Sequence, residues 1–178
     1  MIITGGKIVL RAIEPADAKL LQNMINNETI EYMLGGWSFP VSSYGQTEWM
    51  RSLRQDDHTL RCMIEEIERN ITVGTVILSD IDYKNGTAQL HIKLSPEYQG
   101  KGYGTDTIRT ITAYAMDELR LQCIYAMINE FNTPSIRLFE KCDFQREGVL
   151  KRRVYKKGTY HDVFIYSILR EDIYGNRQ

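Results

Sequence analysis

The feature that most constrains the fold of this chain is the segment Gln99-Gly100-Lys101-Gly102-Tyr103-Gly104-Thr105, set between a strand-like run and a helix-like run. Residues Ala88 to Leu94 alternate as a strand does, and Ser95-Pro96 stops them. From about Thr105 to Glu118, Ile108, Ile111, Thr112 and Ala115 fall on one helical face. A second strand, Cys123 to Ile128, follows after a short connection. Two strands joined by one helix should lie parallel with a right-handed crossover. The glycines permit a tight turn with bare backbone. Because the segment opens a helix, its unpaired N–H groups point outward at the positive end of a dipole, a setting suited to phosphate and above all pyrophosphate. Lys101 adds charge at the rim. Taken alone, these residues equally suit a plain loop. A P-loop is excluded because Gly-Lys is followed by Gly102. A dinucleotide fingerprint is excluded because Thr107 stands at the third glycine and Glu130 lies too far on to serve as the ribose acid.

The remainder of the chain fits around this unit. A short strand spans roughly Lys7 to Ile13 and contains Val9 and Leu10. Pro15 then suits a first helical turn, with Asp17 near the helix dipole and Leu20, Leu21, Met24 and Ile25 as the apolar stripe. Gly35-Gly36 and Pro40 interrupt regular structure. Trp37 and Phe39 between them either pack under the loop or form a lip over a substrate. A second helix is expected near Thr47 to Arg54. Leu60 to Glu66, Val73 to Ile81 and Ala88 to Leu94 read as a meander, with Asn85-Gly86 as a tight hairpin turn. A short helix from Pro134 to Lys141 is capped by Asn132 or Thr133. A hairpin of Arg146 to Tyr155 and His161 to Leu169, turning at Lys157-Gly158, ends the chain. The expected class is mixed α/β (α+β): a central, mostly antiparallel sheet with one parallel strand pair, flanked by about four helices. At 178 residues, with no linker or repeat, residues 1–178 form a single domain.

Composition narrows the function classes. A net charge of −1 argues against a nucleic-acid binder. Cys62, Cys123 and Cys142 form no C-x-x-C and read as free thiols in a reducing cytosol. With no apolar run of membrane length, the expected location is the cytoplasm and no membrane partner is expected. The stretch Lys151 to Lys157 is locally basic, either a solvated hairpin or a patch facing RNA.

The glycine-rich segment resembles the acetyl-CoA pyrophosphate loop of the GNAT N-acetyltransferase superfamily, [QR]-x-x-G-x-[GA]. The second half of that family's pattern follows at the right distance. Asn132-Thr133-Pro134-Ser135-Ile136-Arg137-Leu138-Phe139-Glu140-Lys141-Cys142-Asp143-Phe144 resembles its N-x-x-S-x-x-[LVI]-[YF]-E-K-x-G-F. Glu147-Gly148 and Tyr160-His161-Asp162 look like the tail of the RimJ/RimL-type branch, which acetylates protein N-termini. The resemblance implies strands that splay into a V-shaped cleft. The pantetheine arm of acetyl-CoA would lie there against main-chain groups near Ile92, Lys93 and Leu94. Gln99 to Thr105 would hold the pyrophosphate, and the Asn132 side chain would contact the arm. Asn132 is also a helix cap on ordinary grounds. No metal is implied.

The implied reaction is direct attack of a neutral amine on the thioester. It needs a base, a donor for the oxyanion and an acid for the leaving sulfur. Phe139 stands where many family members carry a tyrosine acid, so the resemblance passes that role to Ser135, with Tyr103 and water next. Many members carry a glutamate at about Gln89, which is no base. His91, Glu130 or a water chain remain open. His161 and Asp162, adjacent on a strand, should face opposite sides. The branch resemblance favours a protein or peptide α-amine as acceptor. Alternatives are a small amine, such as a polyamine or an aminoglycoside, or no turnover at all in a silent CoA-binding module. A polyamine would need converging carboxylates, for which Glu28, Glu31 and Glu48 are candidates. A second copy of the chain is a candidate partner.

Overall fold

A computed structural model describes residues 2–34, 36, 39–53 and 57–175. Trp37, one half of the expected aromatic lip, and Arg54, the expected end of the second helix, lie outside the described residues. Within them the chain builds one eight-stranded sheet. Its strands are β1 (Ile3–Thr4), β2 (Ile8–Arg11), β3 (Leu60–Glu66), β4 (Ile71–Asp82), β5 (Thr87–Leu94), β6 (Cys123–Asn129), β7 (Gln145–Lys156) and β8 (Thr159–Leu169). They lie in the order β1-β2-β3-β4-β5-β6-β8-β7. Every neighbouring pair is antiparallel except β5 and β6. The helices are α1 (Ala18–Ile25), α2 (Glu28–Leu34), α3 (Ser43–Ser52), α4 (Tyr103–Asp117), α5 (Thr133–Lys141) and α6 (Arg170–Tyr174). The expected count of about four helices therefore rises to six. The two additions, α2 and α6, span only 7 and 5 residues, too short to show a periodic stripe.

The crossover α4 packs one face of the sheet. Its Ile108, Ile111, Ala115 and Met116 are essentially fully buried against Leu10, Ile64, Val76, Leu78 and Leu90. Each isoleucine buried in this way stabilises the fold by ~1.5–3 kcal/mol. The opposite face receives α1 and α3. An ion cluster fixes the start of α1: Arg11 donates from Nη1 and Nη2 to Asp17 at 2.8 and 2.9 Å, and from Nε to Glu65 at 2.6 Å. The guanidinium holds the Asp17 carboxyl below its ordinary pKa, although burial acts the other way. Asp106, in the first turn of α4, accepts from the backbone N–H groups of Gly6, Lys7 and Ile8 at 3.2, 2.6 and 3.1 Å. The N-terminal segment is thereby buckled onto the glycine-rich loop.

The basic stretch of β7 is largely solvated, but Lys156 turns inward and pairs with Glu31 of α2. No helix among the described residues is long and apolar enough to cross a membrane. One contact sets how closely β4 and β5 approach. A Cβ at Gly74 would sit 2.1 Å from the Lys93 carbonyl oxygen and 3.0 Å from Leu94 Cα, both backbone atoms that cannot swing aside. Gly74→Ala is therefore expected to destabilise the protein by about 1–3 kcal/mol, read as a lower midpoint in urea denaturation.

Candidate active site

The parallel pairing of β5 with β6 is brief. The ladder runs Thr87–Cys123, Ala88–Ile124 and Gln89–Tyr125, and then stops. Beyond it the strands diverge around a cavity of about 450 Å³. Leu90, His91, Ile92 and Lys93 line it from one strand, Ala126 to Asn129 from the other, and Asn132, Ser135 and Phe139 from the following loop and α5. The Lys93 carbonyl faces Gly74 of β4. By alternation, the main chain of Ile92 faces the parting. The Leu94 carbonyl accepts from Gln99 Nε2 at 3.2 Å, so Gln99 ties the loop to the end of its strand.

The loop itself has the geometry of an anion cradle. Gly100 and Gly102 adopt φ of 74° and 88°, left-handed values that favour glycine. Gly102 caps α4 with no side chain, and the first helical bond there runs from the Asp106 N–H to the Gly102 carbonyl. The N–H groups of Tyr103, Gly104 and Thr105 have no carbonyl of their own helix to bond. Gly104 lets the helix start approach α5, since a Cβ there would press on Leu138 at 3.0 Å. Two lysines flank the cradle. Lys101 lies over the Tyr98 ring, 5.4 Å from its centroid. Lys7, which sequence reading missed, places Nζ 3.3 Å from where a Gly102 Cβ would be. A phosphate fits this donor set.

Asn132 is doubly engaged. Its Oδ1 accepts from the Ser135 N–H at 3.2 Å, capping α5, and its Nδ2 donates to the Met33 carbonyl at 3.2 Å. Asn129 Nδ2 donates to the same carbonyl at 2.8 Å. Ser135 follows within one turn and lines the cavity. Phe139 is buried edge-on against Phe144. Of the open candidates for base, Glu130 lines neither this cavity nor the next. It bonds to His161 Nδ1 at 3.0 Å, while Asp162 accepts from the Arg152 N–H, so His161 and Asp162 do part as expected.

His91 is in the cavity wall. Its Nε2 lies 2.9 Å from Ser79 Oγ, and that hydroxyl donates to Asp80 at 3.1 Å. A hydroxyl has one hydrogen to give. With that hydrogen on Asp80, Ser79 can only accept from Nε2–H, which leaves Nδ1 as the free basic nitrogen. A β4 bulge with Asp80 at φ 51° brings the two side chains together. Partial desolvation of the ring holds the imidazole pKa below the ordinary 6.5, with the Asp80 charge opposing, although the residue keeps an exposed edge.

A second cavity, of about 570 Å³, opens on the α1 and α3 side. Ile13, Leu21, Ile25, Val41 and Trp49 supply apolar wall, and it meets the first at Arg61, Thr75, Ile77 and Lys93. Cys62 also lines it, and burial pushes that thiol up to about 11. All three cysteines are free. Glu28, Glu31 and Glu48 line neither cavity: Glu31 pairs with Lys156 and Glu48 with Arg51. Among the described residues no group of three or more His, Cys, Asp and Glu side chains could hold a metal ion.

An NMR titration of the His91 ring protons should give a midpoint below 6.5. Asp80→Asn removes the opposing charge and should lower that midpoint further; a rise would contradict the assigned contact.

Comparison with known proteins agrees with this geometry. Residues 7–145 match the acetyltransferase (GNAT) domain family. The chain is 32% identical to the SPbeta prophage-derived uncharacterized N-acetyltransferase YokL of Bacillus subtilis, over 95% of this chain and 93% of that protein. It is 31% identical to the spermidine N(1)-acetyltransferase of Vibrio cholerae, over 89% and 91%. The crystal structure of a Vibrio cholerae spermidine N-acetyltransferase in complex with CoA and spermine superposes with a TM-score of 0.85 at 28% identity, covering 93% of this chain and 96% of that one.

Proposed function

The chain belongs to the GNAT acetyltransferase family, and we propose that it acetylates a small-molecule primary amine held where the two cavities meet. It is an acetyl-CoA-dependent N-acetyltransferase. The observation that carries the small-molecule reading is the pair of joined cavities, each within the ~300–1,000 Å³ range of small-ligand sites. The named substrates of the spermidine acetyltransferase relatives support it. The Tyr160-His161-Asp162 tail, with its RimJ/RimL resemblance, points instead to a peptide α-amine, which is the second reading.

In the proposed arrangement the N–H groups opening α4, with Lys7 and Lys101, receive the pyrophosphate. The open main chain of Ile92 receives the pantetheine arm, and the remaining N–H of the Asn132 amide lies within that wall. His91 Nδ1, free and neutral at pH 7, takes the proton of the attacking amine, directly or through one water. The amine nitrogen forms its bond to the acetyl carbon while a main-chain N–H of β5 donates to the developing oxyanion. The carbon–sulfur bond then breaks, and the thiolate is protonated by the Ser135 hydroxyl, which recovers a proton from water. The products are the N-acetyl amine and CoA.

Three variants separate these roles. Gly102→Glu adds bulk and negative charge at the cradle and should abolish acetyl-CoA binding by calorimetry. Ser135→Ala should lower kcat by roughly ten- to a few-hundred-fold with acetyl-CoA affinity retained. His91→Gln should lower kcat by ~10²–10⁴-fold and remove the acid limb of the pH–rate profile. That limb should fall below pH 6.5, because His91 stays deprotonated to lower pH than an ordinary histidine. The acceptor class is tested by offering the protein acetyl-CoA with an equimolar mixture of small primary amines and short peptides, read by mass spectrometry. Acetylated small amines are expected; acetylation of peptides alone would overturn this reading.

A further inference from the structure

We infer that the acceptor is an amine that also carries a carboxylate and an apolar side chain, the carboxylate being received by Arg61 with Lys93 where the two cavities join. This rests on the small-amine reading above and names its substrate class.

The sheet sets the geometry. Arg61 of β3, Ile77 of β4 and His91 of β5 form one cross-strand row; Met63, Thr75 and Lys93 form the next. Residues in register share a face, so Arg61, His91 and Lys93 rise from the same side of the sheet. Arg61 and His91 are two strands apart, ~10 Å between backbones. Side chains that long leave a gap suited to the amine and carboxylate of one small molecule. Arg61 and Lys93 both line both cavities.

Charge decides what fills that gap. The other inward-turned cations are paired: Arg11 with Asp17 and Glu65, Lys156 with Glu31. Among the described residues neither the Arg61 guanidinium nor the Lys93 ammonium has a side-chain partner. No described Asp or Glu lines either cavity. An unpaired, half-buried cation is costly, and a ligand anion removes that cost. Burial lowers the Lys93 pKa, in keeping with that absence of a nearby carboxylate. A polycation entering here would meet two like charges and no counter-charge. Glu28 is exposed on α2, while Glu31 and Glu48 are already engaged. Beyond the charged waist, Leu21, Ile25, Val41 and Trp49 offer an apolar wall for the rest of the molecule. Apolar amino acids have this combination of groups.

The test compares matched acceptors on the intact protein with acetyl-CoA. Leucine, methionine, phenylalanine and tryptophan are each set against their carboxamides and against spermidine, and thiol release is followed together with product mass. At least one amino acid is expected to exceed its carboxamide ten-fold or more in kcat/KM, and to exceed spermidine. Arg61→Gln should then lower kcat/KM for that amino acid by roughly 10- to 100-fold, chiefly through KM, and by much less for the carboxamide. Arg61→Lys should restore part of the loss. A carboxamide equal to its acid, or spermidine preferred with Arg61→Gln silent, overturns the carboxylate assignment while small-amine acetylation stands. Thiol release with none of these small amines, while the peptides of the mixed-acceptor experiment are acetylated, overturns both. Should Arg61→Gln fail to fold, the acid-to-amide ratio of the unaltered protein decides alone.

Discussion

The structure depends on a sheet that is required to come apart. β5 and β6 pair for three residues and then separate, although both remain paired on their outer sides, with β4 and β8. Interior strands rarely leave backbone groups without partners, because an unsatisfied buried N–H or C=O costs as much as a lost hydrogen bond. Here the separation is wedged open by the loop after β6 and by α5, with Phe139 seated beneath. The exposed edge is a preformed template for an extended ligand with amide groups of its own. The cavity, the rows of side chains above it and the glycine loop at its end all take their positions from that parting.

Asp106 gives the loop its rigidity. Three backbone N–H groups of the N-terminal segment converge on one carboxylate in the first turn of α4. That contact brings Lys7, nearly a hundred residues away in sequence, beside Gly102. The loop is thus fixed from its strand end by Gln99 and from its helix end by Asp106, before any ligand arrives.

What was legible in the sequence is what is local in sequence. The strand, glycine loop and helix from Ala88 to Glu118 and the Asn132–Ser135 turn could be read because their spacing is itself the signal. The meander and terminal hairpin carried alternation and turn residues, and their limits shift by only a few positions. The chemistry of the acceptor side was not legible. Arg61 and Lys93 are 32 positions apart and meet only through the β3–β4–β5 register. Ser79 flanks His91 by ordinary alternation, but Asp80 reaches the same side only because β4 bulges between Ser79 and Asp82, and a bulge leaves no periodic trace. Glu130 looked available because nothing in the sequence places His161 beside it. Glu28, Glu31 and Glu48, the candidate carboxylates for a polyamine, do not meet in either cavity, in part because Lys156 of the basic run turns inward and takes Glu31.

Cys62 stands next to Arg61 in the chain, but alternation turns its side chain to the opposite face of the sheet, into the core beneath α4. A thiol on the cavity side could have become a relay, accepting the acetyl group from the donor and passing it on. The environment of Cys62 prevents this. Burial pushes its pKa up to about 11, so the thiol form prevails at neutral pH. Cys62 is therefore unsuited, by its position and by its charge state, to hold an acetyl group.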